Sequence, residues 1–386
     1  MGTRAWVRSG KSRRTGPVDS HPVRERPLIS VIVPTRNRAG ALTRLLERLT
    51  VQTMAPERFE VIVVHDGPDE ASSGAALAFA PRLAVTDLTA PRLGVSAARN
   101  EALAHARGGI VLLLNDDVLP APDLLEVHRR AHDERGDSAP PALVLGHSPF
   151  VEQPAPSATL FDRLMERTGA VFFYDRMIDA RGRVLRPADH DWGYRHAWTL
   201  NLSFPARVAR LAGGFRPAIA NWCYEDVEFA WRASRTLGSP VLFRPGALAP
   251  HDHRLSPADY LAREHRLGYS APGFALAAPD CARELFGREV LTEEAWYARA
   301  FIERESRDEP RHARAFEAMC ALSASLAEGP TGEAILGLAS AQHLALKRLA
   351  FRRGLIDALD GRRIEGLFLP SDGLSHEPGA PRRSAA

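Results

Sequence analysis

The segment Gly109-Ile110-Val111-Leu112-Leu113-Leu114-Asn115-Asp116-Asp117-Val118 decides the fold, because its apolar run stops abruptly at two carboxylates. Strands that are buried on both faces of a parallel sheet have such continuous apolar runs. Ligands of open α/β sheets bind beyond the carboxyl ends of the strands. Adjacent carboxylates are costly to hold together unless a positive group, such as a divalent cation, neutralises them. The segment therefore predicts a buried strand that carries acids to a binding edge; an ordinary strand followed by an acidic turn is the alternative.

The same alternation of apolar runs and helical patterns extends on both sides of this segment. Residues 28–33 and 60–64 are further predicted strands, and each is followed by a polar turn. Leucines 42, 45, 46 and 49 have the i, i+3, i+4, i+7 spacing of an amphipathic helix. This order predicts an α/β fold with a mostly parallel sheet flanked by helices. Residues 139–196 are predicted to be irregular, and 261–359 helical.

Composition limits the classes of function. The chain has 386 residues, 45% of them hydrophobic, and a net charge of +3, which is too small to indicate nucleic-acid binding. Three widely spaced cysteines favour neither a disulfide framework nor a zinc site, so a reducing, cytoplasmic location is expected. No apolar run predicts a transmembrane segment or signal peptide. Residues 1–26 are predicted to be a disordered basic tail, with peripheral membrane contact as the alternative, and residues 371–386 a second disordered tail.

Several short motifs lie in order between residues 27 and 254. Together they resemble the inverting family 2 glycosyltransferases, whose catalytic domain has the GT-A fold. The resemblance implies a GT-A domain over 27–255, followed by a helical C-terminal region over 256–370. The motifs that carry it are Val31-Ile32-Val33-Pro34-Thr35-Arg36-Asn37-Arg38, Val63-Val64-His65-Asp66-Gly67, Gly94-Val95-Ser96-Ala97-Ala98-Arg99-Asn100, Asn115-Asp116-Asp117, Gly213-Gly214-Phe215, Tyr224-Glu225-Asp226-Val227-Glu228 and His251-Asp252-His253.

The resemblance also implies a site for a nucleotide-diphosphate sugar. In the family an acid after the second strand binds the base, which here is Asp66; a carboxylate accepts from an N–H such as uracil N3–H, so a UDP-sugar is expected. The position before it, usually acidic, is His65. Asn115 stands at the first position of the family's Asp-x-Asp motif and can still bind a ribose hydroxyl. The residues expected to contact the nucleotide sugar are Pro34, Thr35, Arg36, Asp66, Arg99, Asn115, Asp116 and Glu225.

A metal and a catalytic base follow from the same resemblance. Asp117 and His251 are expected to bind Mn²⁺ or Mg²⁺, with His253 as the alternative ligand, since residues i and i+2 of an extended segment point the same way. Asp226 is expected to draw the proton from the acceptor hydroxyl. Glu228 and Arg232, four residues apart, predict an intrahelical ion pair. Trp198 and Trp222 are either sugar-stacking or core residues.

The expected activity is transfer of a sugar, with inversion, from the nucleotide diphosphate to an acceptor hydroxyl in polysaccharide or glycoconjugate biosynthesis. The acceptor is a glycan, a lipid-linked molecule or a small molecule, and self-association is left open. Two alternatives remain: a sugar nucleotidyltransferase, although the turn after the first strand lacks a glycine-rich phosphate loop, and a degenerate GT-A protein that binds nucleotide sugars without catalysis, which the residues His65 and Asn115 favour.

Overall fold

Seven strands form one sheet in the computed structural model, which describes residues 26–367 except 137, 155, 180, 220 and 222. In chain order they are β1 (Ile29–Thr35), β2 (Phe59–Asp66), β3 (Val85–Ala90), β4 (Ile110–Leu114), β5 (Leu143–His147), β6 (Asn201–Pro205) and β7 (Val241–Leu248). The order across the sheet is β3-β2-β1-β4-β6-β5-β7, and β6 runs antiparallel to both of its neighbours while the other pairs are parallel. The predicted mostly parallel sheet is confirmed.

Helices cover the sheet and make up most of the chain after β7. In the described residues they are α1 (Ala39–Leu49), α2 (Glu70–Leu77), α3 (Val95–His105), α4 (Leu124–Arg135), α5 (Leu160–Arg167), α6 (Ala206–Ala212), α7 (Glu225–Leu237), α8 (Pro257–Ala277), α9 (Pro279–Phe286), α10 (Ala295–Glu305), α11 (Glu309–Cys320) and α12 (Gly332–Leu359).

The apolar runs of β1, β2 and β4 form the centre of the core. Almost every residue of these strands is buried, because helices cover both faces of the sheet. Register pairing aligns Thr35 with His65 at the ends of β1 and β2, and Ile32 with Leu113, three residues before Asp116. The parallel strands therefore bring the ends of β1, β2 and β4 to one edge of the sheet.

The segment predicted to be irregular contains two elements that the sequence did not reveal. Strand β5 lies between β6 and β7, and α5 begins at a capping box in which Thr159 and Asp162 exchange hydrogen bonds. Strand β5 is only five residues long, so its apolar pattern is too short to indicate a strand by itself.

The C-terminal helices pack on one another and on the segment before α7. Helices α8 and α12 approach closely where two glycines lie at the interface: a β-carbon on Gly268 would overlap the carbonyl of Phe351, and one on Gly354 the carbonyl of His265. Tyr224 stacks on Phe274 of α8, with ring centroids 4.7 Å apart. The helical region thereby supports the residue that immediately precedes Glu225 and Asp226.

None of the helices in the described part of the chain combines the length and the apolar character that crossing a bilayer requires. The two tails predicted to be disordered lie outside the described residues, apart from residue 26.

Candidate functional site

The acids after β4 lie at the carboxyl edge of the sheet and are held by residues of the turn after β1. Asp116 and Asp117 are both buried. The Thr35 hydroxyl donates to Asp116 Oδ2 over 2.7 Å. Arg38 spans the pair, with one terminal nitrogen 3.0 Å from Asp116 Oδ1 and the other donating to Asp117 Oδ2 over 2.8 Å. The turn reaches the acids because Asn37 adopts a positive φ of 54°, which asparagine tolerates better than most residues.

The two adjacent carboxyl groups have opposite pKa shifts. Burial raises the pKa of Asp116 to about 6, although the nearby Arg38 opposes that shift. Burial also raises the pKa of Asp117, but the contacts with His251 and Arg38 outweigh it and hold that pKa well below its usual range. Asp117 is therefore the carboxylate that stays ionised at all physiological pH values.

Both histidines that follow β7 lie beside Asp117. His251 Nε2 is 3.2 Å from Asp117 Oδ1, and His253 Nδ1 is 3.6 Å from Asp117 Oδ2. The two rings are nearly parallel with centroids 5.6 Å apart, as expected for residues i and i+2 of an extended segment. Burial lowers the pKa of His253, and Asp117 only partly offsets this shift; the lowered pKa favours the neutral imidazole, which is the form that binds a cation.

Two side chains at this edge, those of Asp117 and His251, could together hold a divalent cation. Asp117 Oδ1 is buried and lies 3.2 Å from His251 Nε2, with no other polar partner. Ligand atoms at about 2.1 Å from an octahedral cation lie about 3 Å apart, close to this separation. Among the described residues, no three His, Cys, Asp or Glu side chains could hold a metal by themselves. Mg²⁺ and Mn²⁺ sites of this kind are completed by substrate phosphates and water.

Asp66, the expected base-binding residue, lies at the end of β2. Its Oδ1 accepts from the Gly94 N–H over 3.1 Å, which ties it to the start of α3. The neighbouring His65 points into the protein: it is fully buried, and its Nε2 lies 2.7 Å from Asp87 Oδ1 on β3. His65 therefore interacts with β3. A histidine at this usually acidic position does not disturb the contact between Asp66 and Gly94.

Arg99 is buried and forms an ion pair with Glu225. Its two terminal nitrogens donate to Glu225 Oε1 over 2.7 Å and to the Thr199 hydroxyl over 2.8 Å. Glu225 Oε2 and Arg99 Nε are buried without hydrogen-bond partners. Thr199 lies next to Leu200, whose carbonyl accepts from the Asn115 N–H over 3.3 Å. This chain of contacts connects the start of α7 with the acids after β4.

Asp226 lies in the first turn of α7, beside Glu225. Burial, followed by the negative charge of Glu225, raises the pKa of Asp226 to about 7, while Arg99 opposes this shift. A carboxylate with a pKa near 7 can accept a proton at neutral pH, which an ordinary aspartate does poorly. The next acid, Glu228, is fully buried and binds Arg232, as predicted, and also Arg216.

The remaining predicted contacts lie at the same edge or in the core. Pro34 is the penultimate residue of β1, and Arg36 lies half-buried in the turn that follows. Trp198 is buried against Phe172 and Tyr174, in agreement with its core alternative. Trp222 lies outside the described residues.

Two residues of this site were not predicted from the sequence. Arg38 belongs to the quoted motif after β1, but nothing in the motif shows that it reaches across the sheet edge to Asp116 and Asp117. Thr199 precedes β6, and its role depends on a partner 100 positions away. The available signal for Arg38 was its position directly after Asn37, because asparagine often adopts the positive φ of a tight turn.

A separate cavity of about 1290 Å³ lies at the opposite end of β1 and β4, and its lining includes Leu28, Arg58, Gly108 and Arg207. None of the predicted site residues contributes to its lining.

Known proteins that are similar to this chain include glycosyltransferases. Residues 30–179 match the model of the family described as glycosyl transferase family 2. The chain is 31% identical over 245 residues to a validoxylamine A glucosyltransferase of Streptomyces hygroscopicus subsp. limoneus, covering 58% of this chain and 52% of the relative. It is 29% identical over 269 residues to a pre-mycofactocin glycosyltransferase of Mycobacterium tuberculosis, covering 65% and 48%. The chain thus spans about half the length of these curated relatives.

A solved structure of similar fold is the mannosyltransferase PcManGT of Pyrobaculum calidifontis, described in complex with GDP-mannose and Mn²⁺. The match has a TM-score of 0.51 and 20% sequence identity, and covers 90% of this chain and 92% of that one. It confirms the GT-A fold. Over residues 30–179 the chain is thus similar to glycosyl transferase family 2.

Proposed function

We propose that the protein is an inverting, metal-dependent glycosyltransferase that moves a sugar from a nucleotide diphosphate, expected to be UDP, to an acceptor hydroxyl. The observation that carries the proposal is the meeting of Asp117, His251 and His253, from distant parts of the chain, at the edge where such sheets bind ligands. Matches to named glycosyltransferases favour glycosyl transfer over nucleotidyl transfer.

In the proposed mechanism Asp226 acts as the general base. Its carboxylate takes the proton of the acceptor hydroxyl while the hydroxyl oxygen attacks the anomeric carbon from the face opposite the diphosphate. The bond from the anomeric carbon to the diphosphate oxygen breaks, and the configuration inverts. The raised pKa of Asp226 supports this role, because a base works best when its pKa is near the operating pH.

The other residues hold the donor and the cofactor. Asp66 accepts from the base, and Asn115 binds the ribose. Asp117 and His251 would hold Mn²⁺ or Mg²⁺, with His253 as the alternative to His251. When bound, the cation stabilises the negative charge that develops on the departing diphosphate.

Further proposals concern partners. The acceptor is a glycan, a lipid-linked molecule or a small molecule; the name of the Streptomyces relative makes small acceptors the first class to test. A cytoplasmic location, peripheral membrane contact through the basic N-terminal residues and the division into a GT-A domain (27–255) and a helical region (256–370) remain proposals from the sequence.

The proposal is tested by following release of the nucleoside diphosphate. A thermal-shift screen of UDP- and GDP-sugars with Mn²⁺ first selects the donor, because a ligand that binds only the folded state raises its apparent stability. Turnover is then compared for the wild type, Asp226→Asn and Asp117→Ala. We expect Asp226→Asn to lose transfer but keep donor binding, and Asp117→Ala to lose metal-dependent donor binding.

Normal turnover by Asp226→Asn would refute the assignment of the base. If Asp117→Ala shows the same metal-dependent donor binding as the wild type, the assignment of Asp117 as a metal ligand is wrong. A wild type that binds the donor but neither transfers nor hydrolyses it would support the degenerate, non-catalytic alternative.

A further inference from the structure

Arg38 places a positively charged side chain against both acids of the proposed metal site. Three of the four carboxylate oxygens of Asp116 and Asp117 contact residues of the chain: Thr35 donates to one, and Arg38 contacts two. The fourth, Asp117 Oδ1, is buried, is not contacted by the turn, and lies 3.2 Å from Nε2 of His251, the other proposed metal ligand. The side chains of the turn therefore leave a single carboxylate oxygen available to a cation.

The charge of this arrangement limits how strongly a free cation can bind. Two ionised carboxylates would present a charge of −2, but Arg38 reduces the sum to −1. Its guanidinium remains charged at any physiological pH, and its two branches hold both acids. A divalent cation then meets one oxygen, one imidazole and a nearby positive charge, so a further anion is needed to compensate its charge.

We infer that Arg38 is a positioning residue that makes metal binding depend on the nucleotide diphosphate. This inference rests on the proposed function. With Arg38 in place the protein binds free Mn²⁺ weakly, and the diphosphate of the donor supplies the missing negative charge and oxygen ligands. Because binding energies of two ligands are coupled reciprocally, Mn²⁺ must strengthen nucleotide binding by the same factor. Arg38 would thus favour joint binding of donor and metal over separate binding of the metal.

The test is a titration of the protein with Mn²⁺ alone, in which electron paramagnetic resonance measures the free ion. The variants are Arg38→Gln, which removes the charge, and Arg38→Lys, which keeps it. Arg48→Gln is the matched control, since Arg48 is an exposed arginine near the end of helix α1, which begins directly after Arg38; the two residues are about 15 Å apart along the helix axis. We expect Arg38→Gln to bind free Mn²⁺ at least about tenfold more tightly than the wild type, since a unit charge within a few ångströms contributes more than 1.4 kcal/mol at the edge of a protein. The Mn²⁺ affinity of Arg38→Lys should stay within about twofold of the wild type, because lysine keeps a positive charge near the site. The affinity of Arg48→Gln should stay within the same range, because the removed charge lies farther from the site than the screening length.

Unchanged or weaker Mn²⁺ binding by Arg38→Gln would overturn the inference, as would equal tightening by Arg48→Gln. A measurement on the wild type tests the inference even if Arg38→Gln does not fold. The wild type should bind Mn²⁺ at least about tenfold more tightly with a saturating nucleoside diphosphate than without it. Equal affinity in the two conditions would overturn the inference.

Failure of the inference and failure of the proposed function give different results. Suppose that the wild type binds Mn²⁺ with UDP or GDP and that Asp117→Ala does not. If Arg38→Gln then binds free Mn²⁺ no more tightly than the wild type, only the role of Arg38 is wrong. If the wild type binds no Mn²⁺ with either nucleotide, the proposed metal site itself is wrong.

Discussion

Replacing Arg99 with methionine tests the contact that holds the start of α7. Both Arg99 and Glu225 are about 3% exposed, and their ion pair is 2.7 Å long. Methionine preserves much of the volume but leaves the Glu225 carboxylate buried without a cation, which costs about 3–5 kcal/mol. Loss of the hydrogen bond to Thr199 adds about 1 kcal/mol. We therefore expect the free energy of unfolding to fall by about 4–6 kcal/mol.

The assay is urea unfolding followed by tryptophan fluorescence. The double variant Arg99→Met/Glu225→Leu should recover most of the lost stability, because removing both charges of a buried pair is often nearly neutral. Arg183→Met is the control, since Arg183 pairs with Asp179 on the surface and its side chain is 70% exposed; it should lose less than about 1 kcal/mol. A loss below about 1 kcal/mol in Arg99→Met, or a double variant no more stable than the single one, would refute the reasoning.

Three further predictions concern pH and packing. Because Asp226 must be ionised to act as a base, kcat/KM should fall as pH decreases through about 7, and Glu225→Gln should move this fall to lower pH by removing a charge that raises the pKa of Asp226; a pH profile that does not move contradicts this. Gly268→Ala and Gly354→Ala should each lower the melting temperature, because a β-carbon would overlap a carbonyl of the partner helix; Gly337→Ala, with open space around it, is the control and should not destabilise. Burial lowers the pKa of His128 to about 4, so the folded protein resists protonation there and its stability should fall by up to about 3 kcal/mol between pH 6.5 and 4; His128→Asn should remove this part of the pH dependence, and an unchanged slope would count against it.

The sequence was most informative where one strand or helix carries the whole signal. The run from Ile110 to Asp117 predicts both a buried strand and acids at its end, because apolar burial and strand termination are local properties. His251 and His253 were predicted to share a site since their spacing alone places both rings on one side of an extended segment. The structure brings both to Asp117.

Contacts between distant segments could not be predicted in the same way. The bridge from Arg38 to Asp116 and Asp117 depends on how the turn after β1 crosses the sheet edge, and a basic residue in a turn is most often solvated. The pairing of Arg99 with Glu225 joins residues 126 positions apart, and the sequence indicated only that each belongs to a motif. Strand β5 was missed for a related reason, because its five residues gain their strand character from the neighbours β6 and β7.

The proposed function depends on Asp117 and His251 binding a cation together with the nucleotide diphosphate. Electron–nuclear double resonance of Mn²⁺ bound to the protein with UDP or GDP, whichever the thermal-shift screen selects, tests it most directly. We expect phosphorus couplings from the diphosphate and a nitrogen coupling that disappears in His251→Ala but persists in His253→Ala. A spectrum of bound Mn²⁺ without any nitrogen coupling from the protein, or one that neither substitution changes, would contradict it.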